Sequence, residues 1–191
     1  MKYLLALTLI LFTPVQSWAQ ATARVDVEPI CCAVPLGDET VITLLGLYEG
    51  DGNLLGGAVN LAFDPTVVQV LDVTLQVADA FFSNSGSIDN TLGQVSNIGF
   101  ASFDGVSGSF ALATVTLQAV GVGTTSLTVS DANHPIFVWA NDVPPFGELV
   151  SFVSGSPMQL TVAAVPEPET WALLLLGLGL IGVRRGPAWR A

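Results

Sequence analysis

Between residues 20 and 164 the chain holds one histidine, His134, two adjacent cysteines, Cys31 and Cys32, and fourteen carboxylates, the sixteen of the whole sequence less Glu167 and Glu169. Nucleophilic catalysis needs a base beside a nucleophile and an acid to orient it, and His134 has no identifiable partner of either kind. Glycoside hydrolysis needs two acids facing each other across a sugar cleft, and no spacing here places two. No catalytic residue is assigned and an enzyme is not expected. Two loops offer paired oxygen donors, Asp51-Gly52-Asn53 and Asp131-Ala132-Asn133. Neither follows the twelve-residue EF-hand pattern, and hairpin and loop capping account for both. They are weak calcium candidates, and no other metal or cofactor is expected. A surface sugar site needs two or three coplanar exposed rings. The rings available are Tyr48, Phe81, Phe82, Phe137, Trp139 and Phe146. Phe81-Phe82 reads as strand-end core, as does Phe137-Val138-Trp139, with a sugar-binding loop around Trp139 as the sharper alternative.

Charge narrows the partners. The sequence has five basic residues and a net charge of -11, but Lys2, Arg184, Arg185 and Arg190 lie at the ends, leaving Arg24 alone in the middle. Nucleic-acid binding takes clustered Lys and Arg, so it is excluded for this part. Neutral sugars, cations and basic protein surfaces remain compatible, and the negative field also favours solubility.

The elements that would carry these residues are strands. Val67, Gln69, Leu71, Val73, Leu75 and Val77 alternate with Asp72, Thr74 and Gln76, which predicts one buried and one wet face. Ala111, Ala113, Val115, Leu117 and Ala119 alternate with Thr114, Thr116 and Gln118, and Leu127 and Val129 with Ser126 and Thr128. Further strands are expected at 40–47 and 56–63, and Val41-Ile42-Thr43-Leu44-Leu45 is apolar on both faces, as in a central strand. Gly37-Asp38, Asp51-Gly52-Asn53, Asp64-Pro65, Ser85-Gly86 and Gly121-Val122-Gly123 supply the turns. Residues 131–148 read as a long irregular loop. The class is all-β, a two-sheet sandwich of about eight or nine strands.

The ends are addresses. Lys2, the apolar run Tyr3 to Phe12, Pro14 and the small residues Ser17 and Ala19 form a secretory signal peptide, cleaved by signal peptidase between Ala19 and Gln20. Export makes the cysteine pair informative, because exported thiols rarely stay free. A vicinal disulfide between Cys31 and Cys32, unpaired thiols, or crosslinks to other chains all fit, whereas two cysteines alone do not make a zinc site. At the other end Val165-Pro166-Glu167-Pro168 precedes an apolar segment from Trp171 to Val183 and a basic stop at Arg184 and Arg185, with Arg190 beyond. Thirteen helical residues reach only about 20 Å, against a hydrocarbon core of about 30 Å, so a permanent stand-alone span is not expected. The arginines would stay cytoplasmic. Gly177-Leu178-Gly179-Leu180-Ile181-Gly182 spells a dinucleotide-binding fingerprint by coincidence, since no strand precedes it and no acid follows.

Residues 165 to 190 resemble the PEP-CTERM sorting signal. The resemblance implies a temporary inner-membrane handle, recognised and cut near Pro166-Glu167-Pro168 by an exosortase, in a Gram-negative bacterium that makes exopolysaccharide. Residues 24 to 163 are similar to a cohesin module, the jelly-roll β-sandwich of cellulosome scaffolds. The residues that carry this are Gly37-Asp38, then Leu55-Gly56-Gly57 leading through Val59 to Leu61-Ala62-Phe63-Asp64-Pro65-Thr66-Val67-Val68, and later Leu112 to Ala119 running into Gly121 and Leu127. The expected organisation is a signal peptide at 1–19, a cohesin-like β-sandwich at 20–164 and a sorting signal at 165–191. The expected function is a binding or structural module at the cell surface or in the extracellular matrix, recognising a polysaccharide or a matrix protein. A hydrolase of extracellular glycans and a purely structural matrix component are the alternatives.

Overall fold

The computed structural model describes residues 20–28, 33–78, 80–144, 147–165 and 173–180. Thirteen strands lie among them: β1 (Thr22–Glu28), β2 (Val34–Pro35), β3 (Glu39–Glu49), β4 (Leu54–Ala62), β5 (Val68–Leu75), β6 (Ala80–Asn84), β7 (Ser87–Asp89), β8 (Gln94–Val106), β9 (Gly108–Ala119), β10 (Gly123–Asp131), β11 (Ala140–Asn141), β12 (Ser151–Ser154) and β13 (Met158–Ala163). Nine of these have five residues or more, which is the expected count, and the other four are short pieces at sheet margins.

One sheet has the order β12-β1-β3-β9-β5, and the other β2-β13-β10-β4-β8-β6, with β11 beside β4 and β7 beside β8. From β3 onward the chain passes back and forth between the sheets, the wiring of a jelly roll. All pairings are antiparallel except β1 with β12 and β2 with β13. The core lies between the layers, where Val25, Leu44, Val115 and Leu117 of one sheet meet Leu61, Ile98, Phe100 and Leu127 of the other, all at 0 % exposure.

Local chemistry explains the wiring. Phe63-Asp64-Pro65-Thr66-Val67 is the crossover from β4 to β5, and Asp64 holds it together. Its Oδ1 accepts from the Thr66 backbone N–H at 2.9 Å and from the Thr66 hydroxyl at 2.6 Å, while its own N–H donates to Thr125 Oγ1 at 2.8 Å. Those Thr66 bonds, the hydroxyl's first and the backbone's second, hold the Asp64 carboxyl below its ordinary value of 3.8. Gly93, at φ +69°, lies so close to the Phe63 carbonyl that a side chain would collide with it.

Bulges account for three departures from strict alternation. In β5 the register against β9 slips between Val70 and Asp72, so Val68 and Val70 point inward and Leu71 is turned out to 44 % exposure. Expecting Leu71 and Gln69 on the buried face was therefore wrong, although Val73 is buried as expected. A slip opposite Leu44 and Leu45 likewise puts Leu112 in the core and leaves Ala111 half-buried. β3 is the middle strand of its sheet, yet Val41 is half-exposed because, among the described residues, the outer face of that sheet carries no further layer. The third slip, in β6, shapes the site described next.

Candidate functional site

Phe81 and Phe82 are not strand-end core. They sit on β6, an edge strand, and the register against β8 slips between Ala80 and Phe82. Regular alternation would bury one ring of an adjacent pair, but the bulge turns both outward, to 54 % and 55 % exposure. On β8, alternation sends Ile98 and Phe100 inward and Phe103 outward, where it is 79 % exposed. Phe103 stacks on Phe81 with centroids 4.0 Å apart and planes 17° from parallel. Phe82 meets Phe81 edge-on at 6.3 Å and leans toward Phe137 at 6.0 Å.

Between these rings and the loop after β10 lies an open groove of about 400 Å³. Leu55, Phe81, Ala101, Phe103, Ile136 and Val138 line it, with Gly56 packed against the Phe100 carbonyl on β8. Its carboxylate is Asp142, whose two oxygens accept from the Asn53 backbone N–H at 2.7 Å and the Asn53 Nδ2 at 3.2 Å. Both oxygens are engaged, so this group positions a loop rather than moving protons. The groove is equipped for apolar contact, with Asp142 as the charged residue in its lining. Arg24, the basic residue of this part of the chain, lies at another cavity and pairs with Asp26 at 2.8 Å.

Trp139 is placed differently from a sugar platform. Its side chain belongs to the core at 5 % exposure, stacked on Phe152 at 4.9 Å, and lies against Gly57 so closely that a methyl group there would collide with the ring. Its indole N–H donates to Asp131 Oδ1 at 3.1 Å. No face is left for a sugar to stack on. Phe137, at 4 % exposure, is buried as expected, against Phe82 and His134, whereas Val138 between it and Trp139 is 46 % exposed, contrary to expectation. His134 caps the same loop, its Nδ1 accepting from the backbone N–H groups of Ile136 at 3.2 Å and Phe137 at 3.3 Å. This bond pair holds Ile136 at the groove.

The two loops weighed for calcium are each engaged locally. Asp131 Oδ1 also accepts from the Asn133 N–H at 3.0 Å, with Asn133 in the left-handed region at φ 48°. The Asp51 carbonyl accepts from the Tyr48 hydroxyl at 2.7 Å, and Asn53 is bound to Asp142. Among the described residues no three His, Cys, Asp or Glu side chains converge to hold a metal ion. Ala19, Cys31, Cys32, Phe146, Pro166, Glu167, Pro168, Trp171, Val183, Arg184 and Arg185 lie outside the described residues. Gln20 and Val165 are described at the two ends of the sandwich, and residues 173–180 form a helix with exposed leucines. No described helix is long and apolar enough to cross a membrane.

Phe103 and Ile136 were not singled out from the sequence. The available signal was a phenylalanine two residues after Ser102's neighbour Ala101, on the outward parity of a strand whose inward positions are Ile98 and Phe100.

Residues 164–186 match the family model of the PEP-CTERM protein-sorting motif. The tail is a PEP-CTERM sorting signal. It implies export, C-terminal membrane anchoring and exosortase processing. The sandwich is similar to the seventh ScaB type I cohesin of Pseudobacteroides cellulosolvens, at TM-score 0.54 and 14 % identity over 78 % of this chain and 96 % of that one. A cohesin module from a Clostridium perfringens family 33 glycoside hydrolase matches at 0.54 and 14 %, over 76 % and 98 %. CaCohA2 from Clostridium acetobutylicum matches at 0.52 and 17 %, over 75 % and 92 %. At these identities the likeness establishes the cohesin-like fold. No curated protein matches the chain.

Proposed function

We propose that this protein is an exported surface module that binds a protein partner through the aromatic groove beside β6 and β8. The observation that carries this reading is the stacked Phe81–Phe103 pair, both rings more than half exposed, at the wall of a 400 Å³ apolar groove. Rings exposed to that extent are costly in water and are characteristic of interaction surfaces. Charge specifies the partner further: fourteen carboxylates against Arg24 favour an apolar anchor flanked by Lys or Arg. The fold is compatible, since a cohesin seen in a cohesin–dockerin complex from Clostridium thermocellum shares it at TM-score 0.52 and 8 % identity. Residues 20–164 would be the binding unit, and the segment from Val165 a handle cut near Pro166-Glu167-Pro168, leaving the module at the surface or in the matrix.

A photo-crosslinking residue at position 103 of the exported protein, with position 41 on the outer face of the other sheet as control, tests the site. The expected product is a discrete protein adduct at 103 alone, lost in Phe81→Ser and weakened by salt. Equal crosslinking at both positions, or adducts to glycan rather than protein, would overturn the proposal. Deleting residues 171–191 tests the handle separately, with free secretion as the expected result and continued membrane retention as the contrary one.

A further inference from the structure

A second cavity, of about 300 Å³, lies where the chain enters β1, lined by Gln20, Ala21, Asp51, Asn141, Glu148 and Leu149. Two acid-bearing segments flank this entry. Thr22 pairs with Glu49 at the end of β3 and with Ser151 at the start of β12, and the Ser151 N–H donates to the Ala21 carbonyl at 3.0 Å. Ala21 packs so tightly on the Glu49-Gly50-Asp51 turn that a Cβ on Gly50 would lie 2.6 Å from its methyl group. Among the described residues, two carboxylates and no basic side chain line the cavity.

Asn141, at 2 % exposure, lies on the same cavity. Its Nδ2 donates to the Tyr48 hydroxyl at 3.3 Å, and that hydroxyl donates to the Asp51 carbonyl. Its Oδ1 is buried without a hydrogen-bond partner. A buried amide oxygen without a donor costs free energy, and two neighbouring carboxylates add a demand for positive charge. A cation with several N–H donors meets both needs. Cleavage of the signal peptide after Ala19 makes one at this place: the α-ammonium of Gln20, a single residue before Ala21.

We propose that the α-ammonium released at Gln20 by signal-peptide cleavage occupies this cavity, donating to Asn141 Oδ1 and pairing with Asp51 and Glu148. In the precursor the same nitrogen is a neutral amide with one proton, so export processing itself completes the packing around the start of β1. The inference rests on cleavage after Ala19 and is independent of the aromatic groove. The charged groups lining the cavity are Asp51 from the β3–β4 turn and Glu148 before β12; the Tyr48 hydroxyl adjoins it through Asn141, Glu49 is the strand partner of Thr22, and Asp142, next to Asn141 in the chain, has its oxygens held by Asn53.

The test inserts one serine between Ala19 and Gln20, which moves the new terminus about 3.5 Å along the chain. Both exported proteins are purified and their first residues read by mass spectrometry. The parent is expected to begin at an uncyclised Gln20, to react roughly threefold more slowly with an amine reagent at neutral pH, as a pKa raised by about half a unit requires, and to melt about 1–3 °C higher. A cation stabilised by the fold titrates above the usual α-amine value of about 7.7–8.0, so the melting difference is full below that value and lost as pH rises through the folded one. Asn141→Ala, and separately Asp51→Asn with Glu148→Gln, should erase the difference between parent and insertion, which general destabilisation would leave intact. A chain that begins elsewhere, a Gln20 wholly cyclised to pyroglutamate, or equal reactivity and melting with and without the serine would each overturn the proposal.

Discussion

Replacing Trp139 by alanine separates a core indole from a ligand platform. The ring is 5 % exposed, stacks on Phe152 and rests on Gly57, so removing it leaves a void that the two sheets cannot close without moving. Truncations of this size cost about 3–5 kcal/mol. The N–H bond to Asp131 is also lost, but Asp131 keeps its bond from Asn133, which limits that contribution. At about 2–4 °C per kcal/mol for a chain of this length, Trp139→Ala should lower the melting temperature by roughly 6–20 °C. Trp139→Phe keeps most of the stacking and gives up the N–H bond, which predicts a smaller loss, on the order of 1–2 kcal/mol. Calorimetry on the exported protein, with retention on a panel of neutral glycans measured below the melting range, reads both effects. A Trp139→Ala protein that melts within 2 °C of the parent, by the same scale of about 2–4 °C per kcal/mol, yet loses glycan retention would refute the core assignment.

Three further outcomes follow from the packing. Gly57→Ala forces a methyl group into the face of Trp139, which the core holds in place, and should cost about 1–3 kcal/mol in denaturant unfolding. Val70→Ala should cost about 1.5–3 kcal/mol while Leu71→Ala stays within about 0.5 kcal/mol, because the bulge buries the first and exposes the second; the reverse order would mean an unbulged β5. Asp64→Ala should destabilise the protein at neutral pH, and the gap to the parent should close as pH falls through the lowered value of the Asp64 carboxyl. Because that value is depressed in the fold, the stabilising contribution is present above the ordinary carboxylate range and lost below it.

Strands were legible where apolar and polar residues alternate without interruption, as in Ala113 to Ala119 and Thr125 to Val129. They were misread by one position where a bulge intervenes, since an extra residue leaves no compositional mark yet exchanges the two faces, as at Leu71 and Ala111. β8, the longest strand at thirteen residues, was not foreseen. Its serines, glycines and asparagine have low strand propensity, and Asn97 sits at φ 63°, so its place depends on pairing with β4 and β6 rather than on its own sequence. The groove depends on two such features together: a bulge on an edge strand and a strand with weak local signals. The aromatic doublet was visible, but its direction was set by a register slip that only the partner strand defines. Trp139 shows the converse, a ring in an irregular loop that is buried because Gly57 leaves space for it.

The charge distribution bears on what the groove meets. A second copy of the chain would bring together two strongly acidic surfaces, with Asp104 beside Phe103 and Asp142 in the wall of each groove. Arg24 offers no relief, being already paired with Asp26. Like charges juxtaposed in this way oppose association by several kcal/mol and act over about 8 Å at physiological salt. The apolar rings supply attraction without regard to sign, so the surrounding acids determine which molecules arrive and which are turned away. On the proposed reading, Phe81 and Phe103 would chiefly set how long a partner stays, while the carboxylates would set how fast a basic one finds the site. Salt should then slow association far more than it hastens release, and neutralising Asp104, which unlike Asp142 holds no loop at the groove, should do the same without disturbing the rings.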